Sequence, residues 1–458
     1  MKSGIQTTGR LAEFVANTRY DDFPSETVKL AKELILHCLG GNLGGCKELP
    51  SKILIDFVRK SGGVAEAGVI GAGFKSSAVN AAYVGGVTPH AIEVEDGSWP
   101  GAASPITVVP VCFALGEKMG VTGRAIVESF VIGFEIQGKL ACAAATGTLS
   151  KGTSTLATMG TLGAAAAAAK ILGLNVDMVS NSLGLAASQA AGLTECSVGN
   201  MTHYFQSGAS CRNGLTAALL AQAGSSAHNS CLETKHGLLD VLCGEGDYDL
   251  AKVTENLGSP FHIHQVRVKK YPVCTFMHRV IDGVLALVNE HNILPDQVDF
   301  VEIGVNAAVP TILRYPEPKD IEEAKFSMQY NVATAILMRK LDLEDITLEA
   351  IFESTRREFS QQITMIVHPD WDSGGILAGI NTVSIRLKDG REFSRDCVYA
   401  TGGPEAPLST SEVRVLFEPM ARRVLAEKDV QRVEDLILNL ESVTDLTELN
   451  DLLLGQAD

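Results

Sequence analysis

The sequence predicts a mainly α protein with an α+β part: a large all-helical domain built from both chain ends, and a smaller α+β lid domain. Three observations carry that expectation. Apolar residues recur at helical spacing through residues 1–260 and again after residue 402. The alternation of apolar and polar residues that marks half-buried strands is confined to the stretch between. Aromatic residues make up only 6% of the chain while glycine reaches 44 residues, which favours closely approaching helices over a wide aromatic-rich sheet. A chain of 458 residues also exceeds one ordinary core, so two domains are expected: 1–266 with 401–458, and 267–400.

The helices follow in order. Pro24-Ser25 opens one with Val28, Ala31, Ile35, Cys38 and Leu39 on one face, and Gly40-Gly41 closes it. Residues 110–120 begin with a proline in the first turn and end at glycine. Residues 124–144 carry Ile126, Phe130 and Phe134 at i, i+4 spacing. Further helices are expected over 161–172, 177–193 and 213–223, joined by short turns that make neighbours antiparallel. In the middle region, 299–305, 361–367 and 382–387 read as strands, and Lys388-Asp389-Gly390 turns the last into 392–399. Helices over 278–291 and 324–340 lie between them, and 309–322 reads as a long loop. Ser409-x-x-Glu412 is a capping box that restarts the helical pattern.

Composition limits the function classes. A formal charge of −16 without a basic stripe argues against nucleic acid, because phosphate binding needs a cationic face. The amino-terminal residues 1–10 are polar and do not read as a signal peptide. The most apolar stretch, 159–174, is short and interrupted by Lys170, so a buried helix is expected there and no membrane span. The 10 cysteines are scattered singly, as suits reduced core thiols in a cytoplasmic protein. No Cys/His spacing suggests zinc, and no metal or cofactor is expected. No Walker loop or dinucleotide fingerprint is present. Gly160-x-x-Gly163 reads either as an anion-holding helix start or, more simply, as close helix packing.

Four polar clusters could carry chemistry. The first is His90-Ala-Ile-Glu93-Val-Glu-Asp96-Gly-Ser-Trp99-Pro-Gly, where a histidine that can titrate near neutral pH sits beside three acids. A solvated loop would have the same composition. The second is Lys269-Lys-Tyr-Pro-Val-Cys274-Thr-Phe-Met-His278, a turn crowded with groups that move protons and shift pKa when buried. The third places His203 and Gln206 before a small-residue helix start, and the fourth is Phe326-Ser-Met-Gln-Tyr330-Asn331. Taken alone, His203 and Tyr330 read as partly buried polar residues with satisfied hydrogen bonds. The active site is expected to join residues 90–110 with 269–278.

Taken together and in this order, these segments resemble the MmgE/PrpD superfamily, which includes 2-methylcitrate dehydratase, cis-aconitate decarboxylase and iminodisuccinate epimerase. The supporting strings are 80–96 with Pro110, Gly160-Thr-Leu-Gly followed by the alanine run to Lys170, 208–218 with Asn213-Gly214, 269–282, and Phe326-Ser-x-x-Tyr330-x-Val-Ala333. The similarity covers essentially the whole chain. It implies a large helical domain from both chain ends plus an α+β lid domain, usually as a homodimer.

The departures from the family pattern shape the expected reaction. Where dehydratase and decarboxylase members carry Asp-Phe-Asp-Asp-Thr, this chain reads Glu93-Val94-Glu95-Asp96-Gly97, and their following His-Pro-Ser is replaced by Ala103-Ser104-Pro105. Thr153-Ser154-Thr155 replaces Phe-His-Pro, His203 stands where the family has an anion-binding lysine, and Cys274 stands where the decarboxylase has histidine. His90, Lys269, His278 and Tyr330 remain. Loss of acid–base groups suggests chemistry limited to proton removal beside a carboxylate. The expectation is a cofactor-independent epimerase, an isomerase of an iminodisuccinate-like small amino-dicarboxylate. Its catalytic candidates are Lys269, Tyr330, His90, His203 and Cys274. Glu93, Asp96, Trp99, Gln206 and His278 are the substrate-binding candidates. Two alternatives stay open: a dehydratase or decarboxylase of a 2-methylcitrate- or cis-aconitate-like acid, and a non-catalytic metabolite-binding homologue.

Overall fold

A computed structural model describes residues 7–371 and 379–456; residues 1–6 of the polar amino-terminal stretch lie outside that range. The chain is mainly α-helical with a small α+β part and forms two compact units. The first comprises the chain to Ser197, Thr202–Arg267 and Ser409 onward; the second comprises Val198–Met201 and Val268–Leu408.

The first unit is a helical bundle centred on Thr155–Ile171, whose residues from Ala157 to Ala169 are all buried. It packs against Gly123–Lys151 on one side and Thr202–Gln222 on the other. Small side chains allow that approach. A Cβ added to Gly163 would stand 2.8 Å from Gln137 Cβ, and one on Gly214 would stand 2.5 Å from Ala164 Cβ. The glycines at 160 and 163 thus serve helix packing. Both chain ends belong to this unit because Thr410–Ala421 packs along Ser25–Gly45, with Phe417 and Met420 filling the space that Gly40 leaves open.

Several boundaries differ from the expected ones for local reasons. The helix expected from residue 161 begins at Thr155, because the Ser154 hydroxyl accepts the Ala157 N–H. The helix expected at 213–223 begins at Thr202. Small and polar residues dominate its first half, which hides the apolar period, so His203 and Gln206 lie on a helix and not before one. The helix expected over 324–340 is broken, with Ile321–Ala324 separated from Met328–Met338. The Ser327 hydroxyl accepts the Tyr330 N–H and starts the second piece.

The second unit holds a four-stranded sheet in the order Ile363–Val367, Val298–Val305, Asn381–Leu387, Glu392–Cys397. The first pair is parallel, with Val301 opposite Ile363, and the others are antiparallel. His278–Glu290 packs against the last two strands, and Met328–Met338 packs on His278–Glu290 and on Ile363–Val367. Residues 401–408, expected with the helical domain, belong to this unit. The Val268 N–H donates to the Gly402 carbonyl at 2.8 Å, and the Thr401 N–H donates to Asp282 at 2.8 Å.

Candidate active site

In the helical unit, the sequence cluster at residue 90 forms a tight turn. Pro89 precedes a single 3-10 turn, His90–Ile92, closed by the Glu93 N–H donating to the His90 carbonyl at 2.9 Å. Glu93 itself is left-handed, with φ 56° and ψ 36°, a conformation that a non-glycine residue rarely adopts. That geometry lets Val94 N–H return to the Pro89 carbonyl at 2.9 Å.

The turn meets Thr202–Gln222 because two glycines let their helices touch. A Cβ on Gly86 would stand 2.8 Å from Gly208 Cα, so the helix Ala78–Val87 and Thr202–Gln222 cross at backbone contact. His203 and Ser207 are thereby brought onto His90. The two imidazole rings lie 3.9 Å apart between centroids, and the buried Tyr204 ring stands 5.4 Å from His90 and 5.5 Å from His203.

Hydrogen bonding sets the tautomer of His90. Ser207 Oγ lies 2.8 Å from each of two carbonyl oxygens, those of Gly86 and Tyr204, so its single proton points at them. Ser207 Oγ therefore accepts the third contact, from His90 Nδ1 at 2.9 Å. That places the imidazole proton on Nδ1 and leaves Nε2 as the basic nitrogen. Carboxylates surround it. Glu95 Oε2 is 3.9 Å from His90 Nε2, and Glu93 Oε1 is 3.7 Å from His203 Nε2.

Asp96, expected to bind substrate, is buried against a residue the sequence reading did not single out. His37, on Ser25–Gly45, holds the Asp96 carboxylate through Nδ1 at 2.9 and 3.0 Å, with both side chains 1% exposed. Asp96 thus carries a buried hydrogen bond that ties the turn to the bundle. Gln206 donates to the Leu193 carbonyl at 3.1 Å, which supports the preceding loop. Trp99 is partly exposed and leads into a cis peptide bond at Pro100.

The second unit presents the other expected stretch. Lys269 is buried there, 3% exposed. Lys270 Nζ and the Tyr271 hydroxyl both donate to Asp282 Oδ1, at 3.2 and 2.7 Å. Burial first, then the Asp282 charge, pushes the Tyr271 phenol well above its ordinary value. His278 opens the helix His278–Glu290 and its Nε2–H donates to the Val273 carbonyl at 3.1 Å. The Cys274 amide donates to the Lys325 carbonyl at 3.0 Å, so that residue fixes the turn through its backbone.

Tyr330, expected as a proton-transfer group, is 1% exposed, and its hydroxyl donates to the Asp345 carbonyl. Arg356 Nη1 donates to the same phenol oxygen at 3.4 Å and Arg356 Nη2 pairs with Asp345 Oδ1 at 3.1 Å. Burial raises the phenol pKa, partly offset by Arg356. Its proton is engaged in holding the fold, a use that counts against transfer chemistry.

Residues 9–251 match the MmgE/PrpD N-terminal domain and residues 271–442 match the MmgE/PrpD C-terminal domain. The chain belongs to the MmgE/PrpD family. Among curated members it is similar to the cis-aconitate decarboxylase of Aspergillus terreus, at 26% identity over 476 residues, which cover 99% of this chain and 96% of that protein. It is also similar to the Mus musculus and Homo sapiens cis-aconitate decarboxylases, 27% and 28% identical over 83% and 82% of this chain and 80% and 79% of those proteins.

These relatives overturn the expected isomerase, an epimerase of iminodisuccinate. They are named as decarboxylases, which agrees with the lyase alternative read from the family pattern. Ala103 and Cys274 remove acid–base groups of the family pattern, yet decarboxylation requires only a single proton donor at carbon, so their loss does not exclude it.

Proposed function

We propose that the chain is a carboxy-lyase acting on an unsaturated polycarboxylic acid of the cis-aconitate type. The similarity to cis-aconitate decarboxylases over nearly the entire chain is the observation that carries this reading. In such a reaction the bond from carbon to a carboxylate breaks and CO2 leaves. The electron pair stays on the carbon skeleton, delocalised through the alkene toward a second carboxylate, and a proton then adds to carbon. The basic Nε2 of His90, after taking up a proton from solvent past Glu95, is the donor proposed for that step, with His203 stacked beside the ring.

The test is direct. Incubated with cis-aconitate, the protein releases CO2 in step with loss of substrate, with a one-carbon-shorter dicarboxylate as the product by NMR. Unchanged cis-aconitate after long incubation with folded protein would contradict the reading.

A cytoplasmic location is part of this proposal. All ten cysteines are free, as a reducing compartment requires, and no helix among the described residues is long and apolar enough to cross a membrane. A homodimer is proposed from the family resemblance, and light scattering of the purified protein would give twice the chain mass.

A further inference from the structure

We propose that the outward face of the helix Leu49–Ser61 is the surface through which two copies of this chain associate. The inference rests on the homodimer proposed above and names its interface; no step of it depends on turnover. The helix is apolar on two sides. Pro50, Leu54, Ile55 and Val58 are buried in the helical unit, where the helix packs on Ala78–Val87. Leu49, Ile53 and Phe57 lie on the other side and are 58%, 49% and 60% exposed. A surface helix ordinarily keeps one apolar face for the core and a polar face for water. Single exposed apolar residues are common, but three at i, i+4 and i+8 form one row along the helix.

The order of the residues points to a second copy as the occupant. Across a twofold axis, residue i meets residue j and residue j meets residue i. An antiparallel pair of these helices centred at residues 53–54 sets Leu49 against Phe57 of the second copy and Ile53 against its own equivalent. The charges obey the same symmetry. Beside the apolar row their signs alternate through Glu48, Lys52, Asp56 and Lys60. Reversing the helix direction brings Lys52 to Asp56 of the second copy and Lys60 to Glu48, so every contact joins opposite signs. A parallel pair would set like charges together, and a foreign partner would place no such requirement on the order of charges. Asp56 also meets Arg59 at 3.4 Å and Glu48 meets Arg423 at 2.8 Å within the chain. Both pairs lie at the surface, where rearrangement costs little.

The experiment measures the mass of the full-length protein by light scattering and sedimentation across a dilution series. Wild type is expected as a dimer. Ile53→Glu, which places a charge at the axis, raises the dimer dissociation constant at least about 30-fold. Lys52→Glu sets two acids opposite each other and weakens the dimer about 10-fold or more. Adding Asp56→Lys to Lys52→Glu restores it. Circular dichroism verifies that each variant is folded, and if one is not, the other carries the comparison. A monomeric wild type would overturn the homodimer and this surface with it. A dimeric wild type whose Ile53→Glu and Lys52→Glu variants keep its dissociation constant would overturn the surface alone. Failure of the double variant to recover would overturn the antiparallel arrangement.

Discussion

Two buried histidine settings in the helical unit use the same side chain to opposite ends. His262 and His90 each touch a serine hydroxyl, Ser98 Oγ at 2.8 Å and Ser207 Oγ at 2.9 Å. The His262 backbone amide donates to Glu135 Oε2, while the ring itself meets Ser98, Phe134 and the charge of Lys139. Gly138 leaves the space its ring fills, Phe134 stands 6.0 Å away, and Lys139 adds positive charge. Burial first and Lys139 second hold its pKa down to about 4. Such a ring is a neutral packing element at physiological pH. His90 instead has a second imidazole at 3.9 Å and the Glu95 carboxylate 3.9 Å from its Nε2. The difference lies in the charges facing each ring and not in burial, which is nearly complete at both.

The largest expected effect follows from removing the second setting. His90→Gln lowers kcat for CO2 release by at least about 100-fold, as loss of an acid–base group does. His262→Gln changes it by less than about threefold. Equal losses in both variants would erase the distinction.

Acidification probes the first setting. The folded pKa of His262, about 4, lies below its ordinary 6.5. Below that ordinary value the unfolded chain takes up a proton that the folded chain refuses. The His262 contribution is therefore complete above pH 6.5 and is lost as pH falls toward about 4, a change of roughly 3 kcal/mol. Urea unfolding of wild type and His262→Gln between those limits should show the variant with the shallower pH dependence. Parallel curves would contradict the assignment.

A smaller effect is expected from crowding the same ring. A Cβ at Gly138 would stand 2.0 Å from His262 Cδ2. Gly138→Ala therefore costs about 1–3 kcal/mol of stability, read as a lower melting temperature. The smallest concerns Tyr330. Tyr330→Phe removes one buried donor to the Asp345 carbonyl and costs about 1–2 kcal/mol in unfolding experiments while kcat stays near wild type. A large fall in kcat with unchanged stability would restore the proton-transfer role expected from the sequence.

Helical periodicity made most of the bundle legible, and alternation made the strands legible, because those patterns record burial directly. The start of Thr202–Gln222 was not, since after Tyr204 its first turns bury Ser207, Gly208 and Ser210 in place of large apolar residues. That one boundary concealed much of the candidate site. His90 and Glu93 lie three residues apart and are easily paired, whereas His203 and Ser207 reach them only through the glycine crossing at Gly86 and Gly208. The signal available was the pair Gly85-Gly86 in one helix and Gly208 in another, each with too little side chain to pack except against backbone. His37 was missed for a different reason. Nothing local to it says that Asp96 faces it across the fold.

The account rests on the claim that the His90 setting supports decarboxylation and the His262 setting does not. The most direct measurement follows 13CO2 release from carboxyl-labelled cis-aconitate by wild type, His90→Gln and His262→Gln at one pH where all three are folded. The account predicts release by wild type and His262→Gln and almost none by His90→Gln. No release by wild type, or equal release by all three, would contradict it.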